Sequence, residues 1–172
     1  MAYALFINRN DIIKNTPLQG AIDADALLPF LRTAQDKYLK NLLGTVLFFY
    51  LQEQIAANTV GSLSPYYQDL LDDYIKNTLI WYACVEYIPF SSVQFKSNGA
   101  VKQKSEQGEA PSKNEVDYLL QKAQENGDYY ALRLQNYLIA YSNKIPQYLQ
   151  SVGNQTQIYP DQTNQYFPGI QL

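Results

Sequence analysis

Few side chains in this 172-residue chain could do covalent or acid–base chemistry, and their spacing limits them further. Histidine is absent and cysteine occurs once, at Cys84. That excludes Ser-His-Asp and Cys-His machinery, imidazole metal ligation, an internal disulfide and a thiolate zinc cluster. Cys84 lies inside the apolar run LIWYACV and reads as a small buried hydrophobe. Carboxylates gather at Asp23 and Asp25, and again at Asp69, Asp72 and Asp73. Asp69 and Asp73 are four apart, so they share a helix face and repel slightly. A hydrolytic or metal site needs further convergent ligands, and the spacing supplies none. No phosphate-cradling glycine loop, dinucleotide fingerprint or nucleophile elbow is present. The expectation is therefore a protein that is not an enzyme and takes no cofactor and no metal.

The remaining candidates recognise rather than react. Lys96, Lys102 and Lys104 concentrate positive charge on a chain whose formal net charge is −3. They suit contact with phosphate or with an acidic patch on a partner. A solvated hairpin face that discourages edge pairing is the alternative. The second group is Tyr159, Tyr166, Phe167, Ile170 and Leu172, set in an amide-rich tail whose only charged side chain is Asp161. Such anchors can order on binding another subunit, although a disordered tail would have the same composition. The chain carries 16 Tyr against 7 Phe and 1 Trp. Tyrosine joins a large apolar body to a polar tip, so the surplus suits core and interface alike. The acidic balance (pI near 4.9) argues against a generic DNA-binding protein. The apolar runs 46–51 and 79–85 fall far short of the roughly 20 residues that span a bilayer, and the first residues lack the basic start of a signal peptide.

The elements that must position these groups are mostly helices. Residues 1–22 form an N-terminal arm, punctuated by Asn8, Asn10, Asn15, Pro17 and Gly20 and read as extended or irregular. Its apolar Leu5, Phe6, Ile7, Ile12 and Ile13 must pack on this domain or on a neighbour. A helix starts near Asp23 or Asp25 and carries Leu27, Leu31, Ala34, Tyr38, Leu39, Leu42 and Leu43 at helical spacing, with Gly44 ending or kinking it. Ser64 caps the next helix with Pro65 at its first position, and Pro89 should stop it. Asn98-Gly99 marks a hairpin over residues 92–104. A three-residue loop, Ser97-Asn98-Gly99, would set Phe95 opposite Val101 and Val93 opposite Gln103, gathering Val93, Phe95 and Val101 on one face and the lysines on the other. Ser112 to Glu115 is a capping box that opens a long tyrosine-striped helix, with a possible break at Gly127 and a kink at Pro146. The expected fold is mainly α. It is a helical bundle with one β-hairpin inserted before a long C-terminal helix, plus extended N- and C-terminal arms. The domain itself spans 23–150 and the extended tail 151–172.

The capped helix DADALLPFLRTAQDKYLKNLLG, the buried helix LLDDYIKNTLIWYACVEYIPF, the hairpin VQFKSNGAVKQKSE and the long helix after it resemble the head-to-tail connector, or adaptor, proteins of tailed bacteriophages. In texture the chain is similar to those of crAss-like phages. The resemblance covers about residues 23–149 and rests on the order of elements, since that family has no catalytic motif. It implies a structural virion protein: a dodecameric homo-oligomeric ring that joins the portal protein to the tail. The ring would line the channel for passing double-stranded DNA, without sequence-specific binding. Further tail or ring proteins would be its other partners, and no membrane is involved. Its place would be the head-tail interface of the virion, and the host cytoplasm before assembly. A tail-completion or stopper ring is the alternative within the same class. A small helical DNA-packaging subunit is the alternative outside it, and would show salt-sensitive DNA binding.

Overall fold

The computed structural model describes residues 4–17, 24–91, 93–96, 99–102, 112–150 and 158–160. Among the described residues six α-helices make up the bundle: α1 (Arg9–Asn15), α2 (Ala24–Ala34), α3 (Lys40–Ala56), α4 (Pro65–Asp69), α5 (Lys76–Ser91) and α6 (Lys113–Ala140). A π turn, Gln35–Leu39, welds α2 to α3, and another, Leu70–Ile75, welds α4 to α5. The bundle is thus two long rods and α6, with α1 against them. α5 packs chiefly on α6 and α2.

Local sequence explains the helix starts. Ser64 is the N-cap of α4 with Pro65 directly after it, and the Ser64 carbonyl accepts from the Tyr67 and Gln68 amides. Ser112 caps α6 through a full capping box. Its Oγ accepts from the Glu115 amide, and the Glu115 carboxylate accepts from the Ser112 amide. The run at 79–85 is the centre of the core as expected, with Leu79, Ile80, Tyr82, Ala83, Cys84 and Val85 all buried. Each fully buried leucine-sized side chain contributes about 1.5–3 kcal/mol relative to exposure. Among the described residues no helix is long and apolar enough to cross a membrane.

The expected fold class needs correcting. Among the described residues the fold is a helical bundle without a β layer. Residues Val93–Lys96 and Gly99–Lys102 pair antiparallel, and among the described residues only with each other. A two-stranded ladder with no third strand has little stability of its own and builds no core. Its register is also not the expected one, because Lys96 pairs with Gly99, Phe95 with Ala100 and Val93 with Lys102. The connection is therefore one residue tighter than the three-residue loop, as favoured two-residue turns are. Since strand positions alternate faces, 96 and 102 fall on opposite faces of the ladder instead of sharing one.

The N-terminal arm is not extended throughout. Asn8, which looked like loop punctuation, is the N-cap of α1: its side chain accepts from the Asn10 and Asp11 amides at 2.8 and 3.2 Å. Residues 4–7 run into the core, where Phe6 and Ile7 are buried and the Phe6 ring meets Phe48 at 5.5 Å. The buried Gln35 pins this segment. Its Oε1 accepts from the Phe6 amide at 2.8 Å and its Nε2 donates to the Ala4 carbonyl at 3.3 Å, which also accepts from Gln52 Nε2 at 3.0 Å. Pro89 does not stop α5, which continues to Ser91. α6 is unbroken at Gly127 and ends at Ala140, before Pro146.

Gln35→Leu removes the acceptor of the Phe6 amide. We expect a loss of about 1–3 kcal/mol in urea unfolding, with faster hydrogen exchange at Phe6. An unchanged midpoint would show that the N-terminal segment is not held by this side chain.

Candidate partner-binding site

The chain most visibly departs from regular helix at Gly44. There φ is +74° and ψ 162°, inside what is otherwise a single helical rod. That combination is open to glycine alone. The residues docked at the break come from the far end of the sequence. The Thr45 amide donates to the Ile158 carbonyl at 2.9 Å, and the Ile158 amide donates to Thr45 Oγ1 at 2.8 Å. Pro160 is buried at the break, and a Cβ on Gly44 would lie 2.6 Å from its Cδ. Glycine is therefore required twice at this position, for its backbone and for its missing side chain. Ile158 and Tyr159 stay 40% and 52% exposed, so this strap is held by backbone and proline while its other side chains face outward.

Tyr159 is the one expected recognition residue whose side chain is described, and it is exposed at the strap. Lys96 and Lys102 are described as ladder positions only. Lys104, Tyr166, Phe167, Ile170 and Leu172 lie outside the described residues.

A second surface, where several of the surplus tyrosines meet, was not located by the sequence reading. Tyr74 stacks on Tyr137 at 4.3 Å, Tyr137 meets Tyr141 at 4.8 Å, and Tyr141 meets Tyr66 at 5.2 Å. The Arg133 guanidinium lies 5.9 Å from the Tyr74 ring and 6.0 Å from the Tyr129 ring. Tyr137 is buried and donates to the Tyr66 carbonyl at 2.9 Å, whereas Tyr129 and Tyr141 are exposed. Tyrosine and arginine held rigid at a surface are the residue types that anchor protein interfaces. The available signal was the tyrosine count together with Arg133 one turn from Tyr129 and Tyr137.

Inside the bundle, polar side chains serve packing. Tyr38 and Tyr82 stack at 4.0 Å with rings 3° from parallel. Tyr38 Oη and Lys37 Nζ both donate to Glu86 Oε1 at 2.7 Å, and Tyr82 Oη donates to Asp128 Oδ1 at 2.8 Å. Gly127 lets α6 approach this ring, since a Cβ there would stand 2.9 Å from two Tyr82 ring carbons. Burial first, then the Asp128 carboxylate, pushes the Tyr82 hydroxyl well above its ordinary value. Burial raises Cys84 to about 12, so its thiol is kept protonated and is no nucleophile at neutral pH. Asp69, Asp72 and Asp73 are exposed on the rod, with Asp72 paired to Lys76. Among the described residues no group of three or more His, Cys, Asp or Glu is placed to hold a metal ion. An open hollow of about 490 Å³ lies between the N-terminal segment and α2. Leu5, Leu28 and Leu31 line it below polar Asn8, Arg9, Asn10 and Asp25. It gathers no nucleophile and base.

Fold and surface together define a helical-bundle protein with a strapped C-terminal segment and an aromatic face. The chain belongs to DUF6712, a family of unknown function, whose model matches residues 39–158. That match runs from the end of the first π turn to the residue that grips Thr45. No curated protein matches, and no solved structure does.

The buried tyrosines make a pH prediction. Burial raises Tyr67 and Tyr137 to about 12 from an ordinary 10.0, and Tyr82 rises further. The unfolded chain therefore releases these protons first. Their contribution to stability is complete below pH 10 and is lost as pH rises from 10 through 12. Urea unfolding at pH 9 to 12, with tyrosinate absorbance at 295 nm, should show that decline, and Tyr82→Phe should flatten it. A flat profile in the parent protein would contradict the burial argument.

Proposed function

We propose that this protein is a structural component of a tailed-phage virion. Many copies would form a ring that joins the portal to the tail and surrounds the DNA channel. The observation that carries the reading is the strap. It fixes the base of an aromatic tail to a rigid bundle, and the next twelve residues carry Tyr166, Phe167, Ile170 and Leu172. A tail fixed at its root loses less entropy on binding than one free along its whole length. The Tyr–Arg ladder between α6, α4 and the second π turn supports the same reading, because it offers a second, preorganised contact surface for a neighbouring subunit. The order of the helices supports it through the resemblance to connector proteins. Lys96, Lys102 and Lys104 would meet phosphate or an acidic neighbour as separate charges, since positions 96 and 102 lie on opposite faces of the ladder. A wall past which DNA must slide is better acidic overall than adhesive, which suits the net charge of −3.

Labelled antibody against this chain should decorate the head–tail junction of particles that contain it. Label elsewhere on the particle, or none, would overturn the reading. Deleting residues 161–172 keeps the strap, so the urea midpoint should stay unchanged. Recovery of the chain in particles should fall at least about tenfold, the effect of losing one or two aromatic anchors. Full recovery would remove the tail from the interface.

A further inference from the structure

We propose that the strap and the helix break are two halves of one switch: residues 158–160 hold Gly44 out of helical geometry, and their release lets the rod close through Gly44. The proposal does not depend on the virion reading. The sequence around the break gives no local cause for it. LKNLLGTVLFFYL contains no proline, and the helix resumes at once on both sides. Glycine costs only about 1 kcal/mol relative to alanine inside a helix, so Gly44 alone does not force a break. What holds the break is tertiary. In a continuous helix the Thr45 amide would donate to the Asn41 carbonyl four residues back. Here it donates to Ile158 instead, and Pro160 fills the space beside the Gly44 Cα. Strap binding and helix closure therefore compete for the same amide.

Competition for one donor makes the two states exclusive, and linkage makes the effect reciprocal. Whatever captures the chain beyond Pro160 and draws the strap away favours the closed rod. Whatever straightens the rod expels the strap. The closed rod would carry α3 in a new direction relative to α2, so engagement of the tail would be reported as a change in bundle shape. Glycine is the residue that can occupy both states, because it tolerates the broken geometry and the helical one.

Amide hydrogen exchange on the full-length protein separates this from simple packing. In Gly44→Ala the new Cβ meets Pro160 and the φ of +74° is strained, so the strap should leave. Exchange at Ile158 should rise at least about tenfold, the loss of roughly one hydrogen bond. Exchange at Thr45 should stay slow, because its amide now bonds within the helix, and helical circular dichroism should not fall. Pro160→Gly leaves Gly44 intact and should give the same pattern in milder form; it decides the matter if Gly44→Ala does not fold. Loss of protection at Thr45 and Ile158 together would overturn the proposal, as would an Ile158 amide still protected in both variants.

Discussion

A mismatch between the spacing of buried residues and the pitch of the α-helix governs this fold. In the first rod, residues 27, 31, 35, 39, 43, 47 and 51 are all buried. In the second, residues 67, 71, 75, 79 and 83 are buried. Both series step by four. An α-helix turns 3.6 residues per turn, so each such step overshoots by about 40°. A straight rod would wind these side chains off the core within a few turns. The wider π turns at Gln35–Leu39 and Leu70–Ile75 absorb part of that drift, and the break at Gly44 resets the first rod again. The irregularities are therefore how a period of four stays on one face.

Each irregularity in the first rod also receives an end of the chain. The π turn puts Gln35 fully inside, where an amide must find partners, and the backbone of Ala4 and Phe6 supplies them. The break at Gly44 withdraws the Thr45 amide from the helical ladder, and Ile158 supplies its partner. Both segments dock where the helix no longer satisfies itself. The polar accounting of the rod and the placement of the termini are one problem, with one set of hydrogen bonds as its solution.

This explains what could be read from the sequence. Caps are local, so Ser64 with Pro65 and Ser112 with Glu115 were legible from residue type and spacing alone. So was the core at 79–85, where apolar side chains follow each other without interruption. Asn8 is local too, but its capping role was hidden among other turn-forming residues. The hairpin register was not legible, because an argument from a buried face presumes a core for that face to meet. The strap was the least legible feature. Ile158 and Pro160 sit in a stretch of glutamine and asparagine, more than a hundred residues from Gly44, and nothing in either segment names the other. On the tyrosine-striped helix Tyr137 is buried, whereas Tyr141 just past its end is exposed, because spacing fixes a face of the helix without saying how far the neighbouring rod reaches.

α6 meets the core without a π turn or a break. Its buried residues, Ala123, Gly127, Ala131, Leu134, Gln135, Tyr137 and Leu138, follow the alternating steps of three and four of an ordinary α-helix, so no drift accumulates along it. Leu119 and Ile139 lie beside that stripe and are 51% and 49% exposed. Tyr118 and Tyr129 on the same helix, and Tyr141 directly after it, are exposed as well. A monomer gains nothing from placing them there, since each gives up the burial that its neighbours in the stripe enjoy. Large apolar side chains left outward along the longest helix among the described residues are therefore a physical reason to look for partners there.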